Sequence, residues 1–404
     1  MKIYSLIIIG ILGCQSNLAW EELESSHWHA DIDYFQKCIE KRHANPYNFI
    51  SRDSLKWKME RFKQNSDKYN LKQMLLEMEK IGALIGDGHT WITKRFESDP
   101  YLLFTVFLKW FDEDGLRVIG INNTNMTYLG WKVLRINEVP LEKVFEKMDT
   151  YIPQNENRYY TQYWRDYWCR NADALFHEGI ISNSSETEFT LISDKGEIEK
   201  INLKAEIADF SNQKLVFSYQ PVPFFMSNPN KKIWYQSIND QLYYIKVNGY
   251  PDERETKQIL IDIISELSKK MYTKIVFDFR INGGGNKKRV EDIIDEIYKK
   301  YPATRYYGIS GDHSFSAAMA NLVYLRDKAN ALLLGEPPTN RPNFYAENHF
   351  AELPYSKIPI SVATKYLRLQ SENNTELKLD TYIMRNFNEY NKGKDAALKW
   401  VIDQ

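Results

Sequence analysis

From Gln241 to Leu334 the chain alternates short apolar runs with amphipathic stretches, and no other feature limits its possible folds so strongly. Gln241–Val247 predicts a strand, and Glu255–Tyr272 a helix with Ile259, Ile263 and Leu267 on one face. Lys274–Arg280 is a nearly continuous apolar strand, the pattern of a sheet covered on both faces. A helix through Val290, Ile293, Ile294 and Ile297 follows, then a strand over Thr304–Ile309, a helix over Ser316–Asp327 and a strand over Ala331–Leu334. Strand and helix in strict alternation predict a parallel sheet with helical crossovers, hence an α/β core. In such sheets ligands and chemistry gather at the carboxyl ends of the strands.

Upstream the texture differs twice. Residues from about His27 to Ile85 read as helix, with Leu75, Met78, Ile81, Leu84 and Ile85 forming one apolar stripe that Gly86-Asp87-Gly88 stops. From Tyr101 to about Leu215 short β-type runs dominate. Among them, Leu129–Asn137 ends in a turn before a short helix, Leu141–Met148, and Tyr159–Arg170 is an aromatic, charged helix or loop. The reading is a multi-domain α/β chain: a helical segment over 14–98, a β-rich middle over 99–215 and a core over 216–404.

At 404 residues the chain has room for two or three domains at roughly 100–200 residues each. Its 53 Lys+Arg against 54 Asp+Glu leave a net charge of −1, which argues against a general polyanion surface and so against a nucleic-acid partner. Ahead of the helical segment, Lys2 precedes an apolar run from Ile3 to Leu12, too short to span a bilayer but suited to a signal-peptide core. The run ends in Ile11-Leu12-Gly13-Cys14, which resembles a lipobox. The expectation is an exported chain with 1–13 removed and Cys14 lipidated, membrane-attached only by that anchor; simple secretion with cleavage near Ala19 is the alternative. Cys38 and Cys169 then remain as a pair able to form one disulfide. His27 and His29 lack a third ligand, and no Cys/His cluster exists, so neither a metal nor another cofactor is expected. The sequons at Asn122 and Asn183 are what chance supplies.

Three pieces could carry chemistry. Gly283-Gly284-Gly285 follows a buried strand, where bare backbone N–H groups can approach a ligand; neither phosphate-loop pattern is present, so an oxyanion pocket fits better. Ser314-Phe315-Ser316-Ala317-Ala318 stands at a loop-to-helix junction, and Ser314 as the N-cap would free Ser316 as a nucleophile at the positive end of the helix dipole. Asp87-Gly88-His89-Thr90 places a histidine between small and polar neighbours, and neutral imidazole is the usual base for a Ser nucleophile.

Taken together, Gly86–Thr90, Ile275–Gly285, Ser314–Met319 and Leu332–Pro337 resemble the tail-specific, or carboxy-terminal-processing, serine peptidases, in an exported bacterial branch. Gly130–Asn137 is similar to an element of that family's PDZ-like module. The resemblance implies a crotonase/ClpP-like core, a PDZ-like middle domain that holds an extended chain end, and Ser316 as nucleophile. Gly284, Gly285 and Ala317 would supply the oxyanion amides.

The sequence departs from the Ser/Lys branch at one telling position. Arg341 stands where that branch carries its Lys base, and a guanidinium cannot accept the Ser proton. Branches with a Ser, His and Glu set have the His at the position of His89 and the acid near the carboxy-terminal end. That implies Glu372, with Glu347 and Glu376 as alternatives. The expected activity is hydrolysis of peptide bonds in extracytoplasmic polypeptides. The alternative is an inactive member that binds a peptide or apolar ligand. Oligomeric state is not legible.

Overall fold

The computed structural model describes residues 23–92, 101–207, 215–311 and 313–404. The leader over 1–13 and Cys14 lie outside the described residues. The α/β core forms as its alternation predicts. Strands Ile233–Ser237, Leu242–Val247, Lys274–Asp278, Arg305–Ser310, Leu332–Gly335 and Thr381–Tyr382 make one six-stranded sheet in that order, parallel except at the first pair. Helices Glu253–Leu267, Lys288–Lys300 and Ala317–Ala329 are the crossovers. Their apolar stripes cover one face with Ile263, Ile294 and Leu322, while Ala397, Leu398 and Val401 of the last helix, Ala396–Asp403, cover the other. Every residue of Lys274–Asp278 is therefore buried. The first crossover helix stops at Leu267, short of Tyr272, because the apolar stripe ends there and Met271 points into water, 90% exposed.

The amino-terminal segment forms helices Ser25–Arg42, Arg52–Asn65 and Leu71–Ala83. The middle is an antiparallel sheet running from Leu102–Phe104 through Ile198–Ile207, Glu186–Ile192, Lys132–Ile136 and Gly115–Asn122 to the edge strand Val106–Phe111. Leu141–Met148 is helical as expected, and Arg158–Trp168 resolves the aromatic segment as helix, capped by Asn157, whose side chain accepts from Tyr160 N. These helices and the middle sheet share one apolar core, which also takes in Phe315 and Ile360 from the far end of the chain. Cys38 and Cys169 are both buried free thiols, so the disulfide does not form.

The largest element without a counterpart in the sequence reading is a long hairpin, Asn343–Glu352 with Pro359–Arg368, which adds the short strand Trp91–Ile92 to its edge. It reaches from the core back to the helical segment. There Asp31, fully buried, accepts from the amides of Tyr355 and Ser356 at 2.8 and 2.9 Å. The hairpin thus ties the residues around His89 to the sheet that carries Ser316.

Candidate active site

His89 stands on a tight turn after the helix Leu71–Ala83. One oxygen of Asp87 accepts from the amides of His89 (2.9 Å) and Thr90 (2.8 Å), folding the turn, while its other oxygen lies 2.9 Å from Nε2 of buried His43. His43 Nδ1 accepts from Asn45 N, so Nε2 carries the proton and donates to Asp87. Gly88 is required by space: a Cβ there would sit 2.8 Å from both Phe315 Cζ and Tyr160 Oη. Gly88→Ala should cost about 1–3 kcal/mol in unfolding free energy, the usual range for overpacking, and should displace His89. Chemical denaturation checks the first effect; a cost under about 0.5 kcal/mol would mean the neighbours yield freely.

Ser316 occupies the N-cap position of the helix Ala317–Ala329, but its side chain does not cap. Its backbone sits at φ +57°, ψ −117°, a sparsely populated conformation for a residue with a Cβ, costing about 1–3 kcal/mol. The expectation that Ser314 caps the helix is corrected. Ser314 Oγ lies instead 3.0 Å from Phe279 O and 2.7 Å from Gly311 O, and accepts from Gly311 N, bracing the loop to the strand ends. The strained turn aims Ser316 Oγ at His89, with Nε2 2.8 Å away across 227 residues of sequence.

The imidazole is buried and stacked between two phenyl rings, Phe315 at 4.7 Å and Phe344 at 5.6 Å between centroids, each at 19°. Burial pushes its pKa down to about 4, against a partial upward pull from Asp87. It is therefore neutral at working pH, with Nε2 able to take a proton. Nδ1 has no hydrogen-bond partner among the described residues. The two rings set the plane of the imidazole, a task that an acid at Nδ1 performs in a triad.

The acid implied by the resemblance is not disposed to act on His89. Glu372 is exposed and accepts from Asn374 Nδ2 at 3.0 Å, because Asn343 Nδ2 ties the carbonyls of Gln370 and Glu372 and turns that side chain to water. Glu376 Oε1 lies 3.6 Å from Arg158 Nε. Glu347 is exposed on the hairpin. Arg341 does not reach into the site as a base either; its Nη1 donates to the carbonyl and side-chain oxygens of Asn155 at 3.4 and 3.0 Å.

The glycine loop lies against the nucleophile. A Cβ on Gly284 would meet Ser316 Cβ at 2.6 Å, and its φ of +103° is open only to glycine at little cost. Of the three expected oxyanion donors, Gly284 is already committed: its N–H donates to Asn282 Oδ1 at 2.9 Å. Gly285 and Ala317 have no backbone acceptor among the described residues, and Ala317 starts the helix, where N–H groups lack intrahelical partners.

One neighbour of this site was not found from sequence. Glu156, buried, accepts from Gly88 N at 3.0 Å, Asn340 Nδ2 at 3.1 Å and Arg341 N at 3.4 Å. Asn340 Oδ1 in turn accepts from Ser316 N. A cavity of about 320 Å³ lies beside it, lined in part by Asp87, Glu156, Arg341 and Phe344. No cluster of metal-ligating side chains occurs among the described residues.

The architecture is shared with known proteins although sequence comparison is silent: no family model and no curated protein matches the chain. It is similar to mature CPAF complexed with lactacystin, with a TM-score of 0.61 over 94% of this chain and 97% of that one at 10% identity. Mature CPAF alone gives 0.60 over 94% and 96% at 9% identity. A photosystem II D1 C-terminal processing protease gives 0.42 over 89% and 93% at 11% identity. The chain thus has the mixed α/β, multi-domain fold of mature CPAF.

Proposed function

We propose that the chain is a serine peptidase in which Ser316 is the nucleophile and His89 its base, acting on extracytoplasmic polypeptides. The observation that carries this reading is the 2.8 Å approach of a buried, neutral imidazole to a hydroxyl held on a strained helix start. Ser316 Oγ attacks the peptide carbonyl carbon while His89 Nε2 takes its proton. The amides of Gly285 and Ala317 stabilise the oxyanion. His89 then returns the proton to the leaving amine as the C–N bond breaks, leaving an ester on Ser316 that water hydrolyses by the same base. The antiparallel middle sheet, with Val106–Phe111 at its edge, would take an extended chain end as an added strand. The leader and lipidated Cys14 would hold the enzyme at the cell envelope.

The reading as a silent peptide binder is favoured by Arg341 at the Lys position, by Asn340 before it and by Nδ1 of His89, which has no partner among the described residues. Labelling with a fluorophosphonate decides between them. Wild type should take the label on Ser316, and Ser316→Ala should take none. Label that survives Ser316→Ala, or a wild type that neither labels nor cleaves any peptide, would remove the peptidase assignment.

A further inference from the structure

Asn155-Glu156-Asn157 grips both loops of the site at once. Asn155 N donates to Gly86 O at 2.9 Å, and Asn157 Nδ2 donates to the carbonyls of Pro338 and Asn340 at 2.8 and 2.9 Å. Between them, the Glu156 carboxylate meets three donors: the amide of Gly88, next to His89, the side chain of Asn340 and the amide of Arg341. An ionised carboxylate only accepts, so it fixes which way round Asn340 sits. The amide nitrogen of Asn340 must face Glu156, which leaves its oxygen for the N–H of Ser316. We infer that Glu156 is the positioning residue of the Ser316–His89 pair: through Asn340 it holds the strained backbone of the nucleophile, and through Gly88 it anchors the turn that presents the base. The inference rests on the peptidase reading of the same site.

Protonation breaks this arrangement. A neutral carboxyl holds the Gly88 amide, the Asn340 side chain and the Arg341 amide less strongly than the carboxylate does, so the brace on Ser316 loosens. Burial pushes the Glu156 pKa up to about 7; the charge of Asp87 adds to the rise, and the hydrogen bonds from Gly88, Asn340 and Arg341 oppose it. The groups around it are Asp87 with its partner His43 from the amino-terminal helices, His89, and Arg341 and Tyr345 from the core side. With His89 held down near 4, the inflection expected of Glu156 lies well above that of the base. The sign follows: activity is full above about 7 and falls as pH drops through it.

The test is the rate of fluorophosphonate labelling of the full chain between pH 5 and 9. Wild type should show an inflection near 7. Glu156→Gln should lose that inflection and label about 10–100-fold more slowly at pH 8, the scale of a roughly 1 Å misplacement. Glu156→Asp, which keeps the charge, should keep an inflection displaced from the wild-type value; it carries the test if Glu156→Gln does not fold. Asn340→Ala should slow labelling as well, and the two substitutions together should cost less than the product of their separate effects. An unchanged inflection in either Glu156 variant, or full additivity with Asn340→Ala, overturns the inference. A wild type that takes no label at any pH instead removes the peptidase reading on which it rests.

Discussion

Replacing His89 with alanine should slow acylation of Ser316 by about 10²–10⁴-fold, the contribution expected of a positioned general base. The size follows from how completely the site depends on this one group. Arg341 donates to Asn155 and can accept nothing. Among the described residues the Ser316 hydroxyl has no other hydrogen-bonding basic partner. The turn itself should survive, because Asp87 holds it through the amide of residue 89 and not through the ring. Removing the imidazole leaves a slot between Phe315 and Phe344, so added imidazole should restore part of the rate in His89→Ala and none in Ser316→Ala. Labelling kinetics read both effects. A wild-type rate in His89→Ala would end the mechanism, and failure of imidazole to help while the fold is intact would argue that the ring is packing alone.

The same residue makes a second, thermodynamic mark. In the unfolded chain its imidazole titrates near 6.5, whereas in the fold burial holds it down near 4. Between those values the unfolded state binds the extra proton, so this residue lowers stability as pH falls, by at most about 1.4 kcal/mol per pH unit. His89→Ala should therefore gain on wild type in melting temperature between pH 6.5 and 4. Above about 6.5 the difference should be independent of pH.

How much of this was legible in the sequence depended on whether the signal was periodic. The apolar spacing of Ile259, Ile263 and Leu267, and of Val290 to Ile297, places two crossover helices where they are observed, the first ending at Leu267 and not at Tyr272. The glycines marked the loops that carry His89 and lie against Ser316, because close approach leaves room for no Cβ. The hairpin over 343–368 was hidden by its own function. The first part of each strand is buried and the second largely exposed, with Glu347, Lys365 and Arg368 interspersed, so no clean alternation survives. Ser314 and Ser316 are equally good caps by residue type, and only the tertiary strain at Ser316 separates their roles. Glu156 left no trace because its partners lie 68 to 185 positions away along the chain and its own neighbours carry no pattern. Acid partners are set by where loops meet, and Glu372, implied by resemblance, accepts from Asn374 and not from His89.

The largest loss of stability should come from beneath the glycine loop. Asp278, fully buried at the end of its strand, accepts from Tyr244 Oη at 2.7 Å and from Arg280, while Lys246 Nζ lies 3.8 Å away. Arg280 reaches on to Asp395, at 2.8 Å, which caps the carboxy-terminal helix through Leu398 N. Two cations and two carboxylates thus balance in a buried space. Lys246 also donates to the carbonyl of Arg280, where the loop leading to Gly284 begins. Burial holds the Lys246 pKa down to about 8, with Asp278 pulling it up, so the lysine stays charged at neutral pH partly because Asp278 is there. Asp278→Asn keeps the shape and removes the charge, so the sheet must either hold an uncompensated cation or give up the Lys246 proton. It should cost about 3–5 kcal/mol in denaturant unfolding at pH 7, and activity with it as the loop loosens. Adding Lys246→Met restores the balance as one Arg280–Asp395 pair and should recover a large part of that cost. If Asp278→Asn costs less than about 1 kcal/mol, or the double variant is no more stable than the single one, charge balance is not what holds this end of the sheet.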